Sequence, residues 1–219
     1  DGCTSLIKLT IDPYSTKIEN NSFSNCSSLK HLIIGETVKS IDQFDFKTIG
    51  QINQITLPTS ITTIGENAFY NLTSLEQIDL PVSITSIKNN AFQGCSSLTN
   101  IVIPFTVKTI GNNAFNSCSS LSELTIDPST TKLKNNSFSD CSSLNHLIIS
   151  TTCTSVCQFE INSIGKINQI TIPTTVTTIG DNAFAGCSFL NQIILPSTIT
   201  TIGNYVFAGC SSLREITIP

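Results

Sequence analysis

The feature that most constrains this chain is a period. The leucine of a recurring Cys-Ser-Ser-Leu returns at Leu6, Leu29, Ile52, Leu75, Leu98, Leu121, Leu144, Ile167, Leu190 and Leu213, always 23 residues on and without an insertion. Other columns ride on the same register. Ile55, Ile78 and Ile101 stand three residues after their anchors, with Leu57, Leu80 and Ile103 two further on. A second apolar pair follows, as in Ile61/Ile64, Ile84/Ile87, Val107/Ile110 and Ile199/Ile202, and then an aromatic column, Phe23, Phe46, Phe69, Phe92, Phe115, Phe138, Ile161, Phe184 and Phe207. A unit this short cannot enclose its own apolar face, so the core has to form between stacked units. The period dictates a solenoid.

Within a unit the pattern is a short strand, a turn, a second extended piece and a tight connection. In Leu75-Glu76-Gln77-Ile78-Asp79-Leu80-Pro81 the alternation from Ile78 sends apolar side chains inward and polar ones outward. Pro58, Pro81, Pro104, Pro173 and Pro196 cannot donate to a ladder and are expected to end their strands. Gly65, Gly111, Gly180 and Gly203 mark the next bend, where a missing Cβ would allow positive φ. Asn112-Asn113-Ala114-Phe115 reads as one helical or 3₁₀ turn that drives its Phe into the core. Rungs at a strand spacing of about 4.8 Å would give a rod or arc of roughly 45 Å.

Nine cysteines resemble a chemical signal until they are placed on this grid. Cys3, Cys26, Cys95, Cys118, Cys141, Cys187 and Cys210 share a column with Ile49, Leu72 and Ile164. A column that accepts Ile and Leu is a core position, where a free thiol behaves as a small hydrophobe. Disulfides between neighbouring rungs and metal or redox chemistry are the alternatives, although no CxxC-type spacing occurs. Cys153 stands where other units have Val or Ile and is expected in the core. Cys157 stands where others have Gly, Lys, Asp or Glu and is expected to meet solvent.

A longer period overlies the short one. Residues 115 apart match better than adjacent units do: Leu9 to Pro13 returns as Leu124 to Pro128, and His31 to Ile34 as His146 to Ile149. This is the mark of a duplicated five-unit block. It would set two equivalent surface patches about 24 Å apart. One irregular unit occurs in both copies, Asp42-Gln43-Phe44-Asp45-Phe46 and Cys157-Gln158-Phe159-Glu160-Ile161, and suggests a locally distorted turn. His31 and His146 are one duplicated position, too far apart to share a metal, and read as solvated surface residues.

Composition removes several functions. Only 12% of the residues are charged and the net charge is −4, unlike a phosphate-neutralising nucleic-acid binder. The densest apolar run, Ile101-Val102-Ile103, is far short of a membrane span. Two histidines and no tryptophan leave little for acid–base catalysis, and no nucleophile–base constellation or phosphate loop is present. An enzyme is not expected, and neither a cofactor nor a metal site is called for. Sequons at Asn20, Asn25, Asn71 and Asn135 are no more than chance supplies in a chain so rich in Asn, Ser and Thr. The chain opens inside a unit and closes after a strand without a polar cap, so it reads as part of a longer protein or as one that covers its ends by self-association.

The columns resemble the BspA-like, treponemal-type leucine-rich repeats: a strand ending in Ile78 to Pro81, an extended piece Ile84 to Ile87, then Asn90-Ala91-Phe92-Gln93-Gly94-Cys95-Ser96-Ser97-Leu98. The units from Leu29 and Leu144 depart by lacking the Pro and the Gly. The resemblance covers residues 1–219 as a single solenoid of nine to ten units. It implies a repeat solenoid, mainly β with short 3₁₀ or helical turns, whose parallel β-sheet lines the concave face of an arc. It also implies a non-enzymatic protein–protein interaction module, with cell-surface or secreted adhesion to matrix or cell-surface proteins as its typical use. An intracellular scaffold or regulatory subunit in the cytoplasm is the alternative, suited to nine thiols without a pairing framework.

On that fold the partner-binding candidates are the outward strand positions His31, Ile33, Gln54, Gln77, Asp79, Asn100, Val102, Glu123, His146, Ile148, Gln169, Gln192 and Ile194. A third outward column runs from Ile7 and Lys30 to Asn168, Asn191 and Arg214. This face is rich in amides and hydroxyls, thinly charged, and dotted with Ile and Val. It suits many neutral hydrogen bonds over an interface of about 800 Å² per partner, with weak hot spots and affinity gained by repetition.

Overall fold

The computed structural model describes residues 3–12, 26–42, 51–157, 164 and 166–219. It is a parallel β-solenoid in which each 23-residue unit makes one turn. The described residues contain no helix. Long strands open the units: β1 (Lys8–Ile11), β2 (His31–Ile34), β4 (Gln54–Thr56), β6 (Gln77–Asp79), β8 (Asn100–Val102), β10 (Glu123–Ile126), β12 (His146–Ile149), β14 (Gln169–Thr171), β16 (Gln192–Ile194) and β18 (Glu215–Thr217). Two-residue strands follow: β3 (Ser40–Ile41), β5 (Thr63–Ile64), β7 (Ser86–Ile87), β9 (Thr109–Ile110), β11 (Lys132–Leu133), β13 (Ser155–Val156), β15 (Thr178–Ile179) and β17 (Thr201–Ile202).

Proline sets the strand lengths. In β1–β2 and β10–β12 the ladder runs four residues, because Gly35 and Ser150 donate their N–H groups to Ile11 and Ile126 at 2.8 and 2.9 Å. Most other units place Pro at that position, as in Pro58, Pro81, Pro104, Pro173 and Pro196; the donor is missing, and the strands stop one residue earlier. The units that lack Pro at Asp12 and Asp127 use a carboxylate instead. Thr37 Oγ1 donates to Asp12, and Thr152 Oγ1 donates to the buried Asp127 at 3.0 Å.

The ladders are interrupted twice. Long strands form one sheet from β1 to β6 and a second from β8 to β18; short strands form one sheet from β3 to β11 and a second from β13 to β17. The two interruptions fall between different pairs of rungs.

The core is the stack of inward columns. Phe69, Phe92, Phe115, Phe138 and Phe184 are all buried. Phe92, Phe115 and Phe138 lie face to face, with centroids 4.9 Å apart and planes within 4°. Ring spacing therefore equals strand spacing, so the aromatic column is continuous from Phe69 to Phe138.

The connection that carries each Phe is a series of β-turns rather than the helical or 3₁₀ turn expected. Around Phe115 the N–H groups alternate in purpose. Ala114, Asn116 and Cys118 close turns onto Gly111, Asn113 and Phe115, while Asn113, Phe115 and Ser117 donate to Asn135, Ser137 and Ser139 of the next rung. Turns with positive φ at their third residue favour Gly or Asn there. That residue is Asn67, Asn90, Asn113, Asn136 or Asn182 before the Phe, and Asn71, Gly94, Ser117, Asp140, Gly186 or Gly209 after it. The bend glycines serve a different end from the one expected. Gly111 and Gly203 are not among the positive-φ residues; a Cβ on Gly111 would stand 2.5 Å from the backbone of Lys88 and Asn89 in the preceding rung. Close rung-to-rung approach selects them.

The irregular stretches lie largely outside the described residues; Asp42 and Cys157 are described, and Phe44, Phe46, Phe159 and Ile161 are not. The same holds for the sequons at Asn20 and Asn25 and for Phe23 and Ile49.

Candidate functional site: the long-strand face

Alternation along each long strand buries its second residue and presents its first and third. The parallel register then lines these residues up across rungs. Lys8, His31, Gln54 and Gln77 form one run, and Asn100, Glu123, His146, Gln169, Gln192 and Glu215 continue it. The third positions run Thr10, Ile33, Thr56, Asp79 and then Val102, Thr125, Ile148, Thr171, Ile194, Thr217.

Gln54, Gln77, Asp79, Asn100, Val102, Glu123, Gln169, Gln192 and Ile194 are exposed, Val102 and Ile194 strongly so at 58% and 72%. His31, Ile33, His146 and Ile148 are only half-buried positions rather than open ones. The two histidines are tied into the sheet. His31 Nε2 lies 2.7 Å from Thr56 Oγ1, and His146 Nε2 lies 2.8 Å from Thr171 Oγ1, so the duplication repeats the contact. Each is tied to the next rung while remaining partly exposed at the surface, as expected. Burial, and secondarily the charge of Lys8, pulls the His31 pKa below its ordinary value.

His146 also meets Glu123 Oε1 through Nδ1 at 3.3 Å. Hydroxyl, imidazole and carboxylate thus follow in the order of a hydrolase triad, but the setting differs. Thr171 stands on a strand paired on both sides, where strand N–H groups serve the ladder. Among the described residues no three His, Cys, Asp or Glu side chains are placed to hold a metal ion.

The cysteines are free. Cys26, Cys95, Cys118, Cys141 and Cys187 are buried, Cys210 is half-buried and Cys3 is exposed; Cys153 is buried and Cys157 exposed, as their columns imply. Their role is more specific than filling space. The thiols of Cys95, Cys118, Cys141 and Cys210 donate to the carbonyls of Phe69, Phe92, Phe115 and Phe184 at 3.1–3.2 Å. Each of these carbonyls already accepts a turn N–H, so the thiol occupies its second lone pair. Burial pushes Cys95 and Cys187 up to about 12 and Cys153 to about 11. Cys118 is also raised, first by its neighbour Cys141 and then by burial.

Serine and threonine carry structural information that their abundance hid. Ser60, Thr106, Thr175 and Thr198 donate to Val38, Ile84, Cys153 and Val176 of the preceding rung at 2.7–2.9 Å.

Shallow grooves cross the face. One of about 370 Å³ is lined by Asn53, Gln54, Glu76, Gln77, Thr99 and Asn100. A larger one, of about 770 Å³, lies at the margin of the face and includes Lys166, Phe189 and Arg214. The sequence signal for it was available: Lys166 and Phe189 interrupt a column that is otherwise mostly serine. Among the described residues no helix is long and apolar enough to cross a membrane.

Comparison with solved structures returns leucine-rich repeat proteins. The chain is similar to a T. pallidum leucine rich repeat protein at 25% identity and a TM-score of 0.52, over 84% of this chain and 78% of that one. It is similar to a leucine-rich repeat protein from Eubacterium ventriosum at 22% identity and a TM-score of 0.49, over 87% of this chain and 60% of that one. A leucine rich cell surface protein from Faecalibacterium prausnitzii matches at 22% identity and a TM-score of 0.39, over 96% and 78%. No curated protein matches in sequence. The BspA type leucine rich repeat region matches residues 1–122 and again 108–219, so together the two matches span the chain. With the repeat register, the solenoid and this match in agreement, the chain belongs to the BspA type leucine-rich repeat family, a family of repeat scaffolds.

Proposed function

We propose that this solenoid is a non-enzymatic protein-binding module of a cell-surface or secreted adhesin, and that the long-strand face takes the partner. The observation that carries this reading is the register itself. Exposed amides, carboxylates and apolar side chains from Gln54 to Ile194 stand in register, one strand spacing apart within each of the two long-strand sheets. A pre-ordered surface of this kind loses little entropy on binding, which offsets its lack of large aromatic anchors. Family membership supports the adhesive role and the surface or secreted location.

The free thiols favour an intracellular scaffold less than their number suggests. With Cys95 and Cys187 held near 12, almost no thiolate forms at neutral pH. Buried thiols of this kind are inert in either compartment. Replacing Gln77, Asn100 and Glu123 together with alanine tests the face against an array of purified extracellular-matrix proteins. Loss of capture with an unchanged unfolding midpoint is expected. Unchanged capture by the triple variant would remove the face from the interface. Antibody labelling of intact against permeabilised source cells tests location separately: signal only after permeabilisation would refute the surface reading.

A further inference from the structure

The marginal groove differs chemically from everything around it. The chain carries only 11 Lys and Arg against 15 Asp and Glu, yet this groove brings Lys166 and Arg214 together, and among the described residues no carboxylate lines it. Between the two cations lies Phe189, 49% exposed, with Lys166 Nζ 5.5 Å from its ring centre. Asn145, Asn168 and Asn191 add one amide per rung along the floor, and three serine hydroxyls complete the rim. Glu215, the nearest acid in sequence, lines the neighbouring groove.

The duplicated block supplies an internal comparison. Residues 115 earlier are Lys30, Gln51, Asn53, Ser74, Glu76 and Thr99 in place of Asn145, Lys166, Asn168, Phe189, Asn191 and Arg214. The first block thus has one cation and one carboxylate, the second two cations and none. In the first block Glu76 accepts from Asn53 at 3.4 Å and occupies the amide that the second block leaves facing the groove. The aromatic ring occurs only in the second.

We propose that the groove of Lys166, Phe189 and Arg214 binds an acidic oligosaccharide, a chain of pyranose rings carrying carboxylate groups. Each group in the groove has a counterpart in such a ligand. The half-exposed Phe189 ring offers an apolar platform for the C–H face of a sugar. The asparagine amides both donate and accept, as sugar hydroxyls do. Lys166 and Arg214 stand two rungs apart, about 10 Å at the strand spacing, and bracket the ring with charge-assisted hydrogen bonds. An acidic peptide is disfavoured, because the long strands beneath Asn168 and Asn191 are paired on both sides and offer no edge for a peptide strand to extend.

Calorimetric titration of the whole chain with a galacturonic acid hexamer tests the proposal. One hexamer per chain is expected, with affinity falling as salt rises. Lys166→Gln and Arg214→Thr install the residues of the first block, and each is expected to weaken binding at least five-fold and flatten the salt dependence. Phe189→Ser installs the residue common in its column and is expected to weaken binding several-fold with the salt dependence unchanged. The fully methyl-esterified hexamer is expected not to bind. An unfolding midpoint matching the parent establishes that each variant is folded. Equal binding of a glutamate hexamer would overturn the sugar assignment. Unchanged affinity in both cation variants, or no binding of the hexamer, would overturn the site.

Discussion

Replacing Phe115 with alanine probes the aromatic column at its most regular point. The ring is fully buried and is sandwiched between Phe92 and Phe138 at 4.9 Å on both faces, nearly parallel to each. Loss of the ring forfeits about 2–3 kcal/mol of transfer free energy, and the vacancy adds a cavity penalty, because the flanking backbone is fixed by turn and inter-rung hydrogen bonds and cannot close. Phenylalanine to alanine in a core costs about 3–5 kcal/mol, and two stacked faces place this site in the upper part of that range. Phe207 is the internal contrast. It is half-buried with Phe184 as its stacked partner at 5.8 Å and 28°, and its truncation should cost roughly half as much. Urea unfolding followed by circular dichroism reads both. Because each rung contacts only its neighbours, Phe115→Ala should also broaden the transition or split it, as the two flanking stacks lose their coupling. A cost below about 2 kcal/mol, or equal costs at the two positions, would refute the continuous-column account.

Further perturbations follow from the turns, the bends and the thiols. Gly111→Ala should cost about 1–3 kcal/mol, because its Cβ meets backbone at 2.5 Å, whereas Gly35→Ala, with 3.4 Å to the nearest atom, should stay within about 0.5 kcal/mol; equal melting temperatures would refute the close-approach role. Tyr205 stands at φ 55 and 76% exposed in a column held mostly by asparagine, so Tyr205→Asn should stabilise by about 0.5–1 kcal/mol, read as a rise in Tm. Unfolded thiols ionise near 9.0, while Cys95 and Cys187 hold their protons to about 12 in the fold. The folded chain therefore binds more protons in that window: the stabilisation is complete below pH 9 and is lost as pH rises towards 12. Urea midpoints across that range should fall, and Cys95→Ala with Cys187→Ala should flatten the slope; an unchanged slope would refute the assignment.

The solenoid was legible because its columns repeat without slippage: once Leu75, Ile78 and Phe92 recur in register, stacking is the sole way to bury them. Proline positions predicted strand ends for the reason found, a missing donor. The function of the bend glycines was not legible. Gly111 and Asn113 lie two residues apart, and which of them faces a neighbouring backbone and which adopts positive φ is decided by the rung below. The cysteine column read as apolar, and it is, but the thiol's acceptor belongs to a phenylalanine 26 residues earlier, visible only after folding. The strand face was largely foreseen because alternation fixes what points outward; the half-burial of His31 and Ile33 was not, since it depends on Thr56 and Thr10 alongside. The groove of Lys166, Phe189 and Arg214 combines three rungs, and each residue alone is an ordinary surface exception.

The staggered sheet interruptions have a mechanical consequence. Where β6 and β8 are not laddered, the same two rungs are joined by β7 with β9 and by the turn bonds from Asn90, Phe92 and Gly94. Where β11 and β13 are not laddered, β10 and β12 join along four residues. Among the described residues the stack is bonded like brickwork, with no seam running through both ladders at one level. A force along the axis finds no layer among the described residues held by side chains alone and has to pull apart inter-rung hydrogen bonds wherever it separates two rungs. Extension should therefore proceed through rung-by-rung rupture at comparable loads.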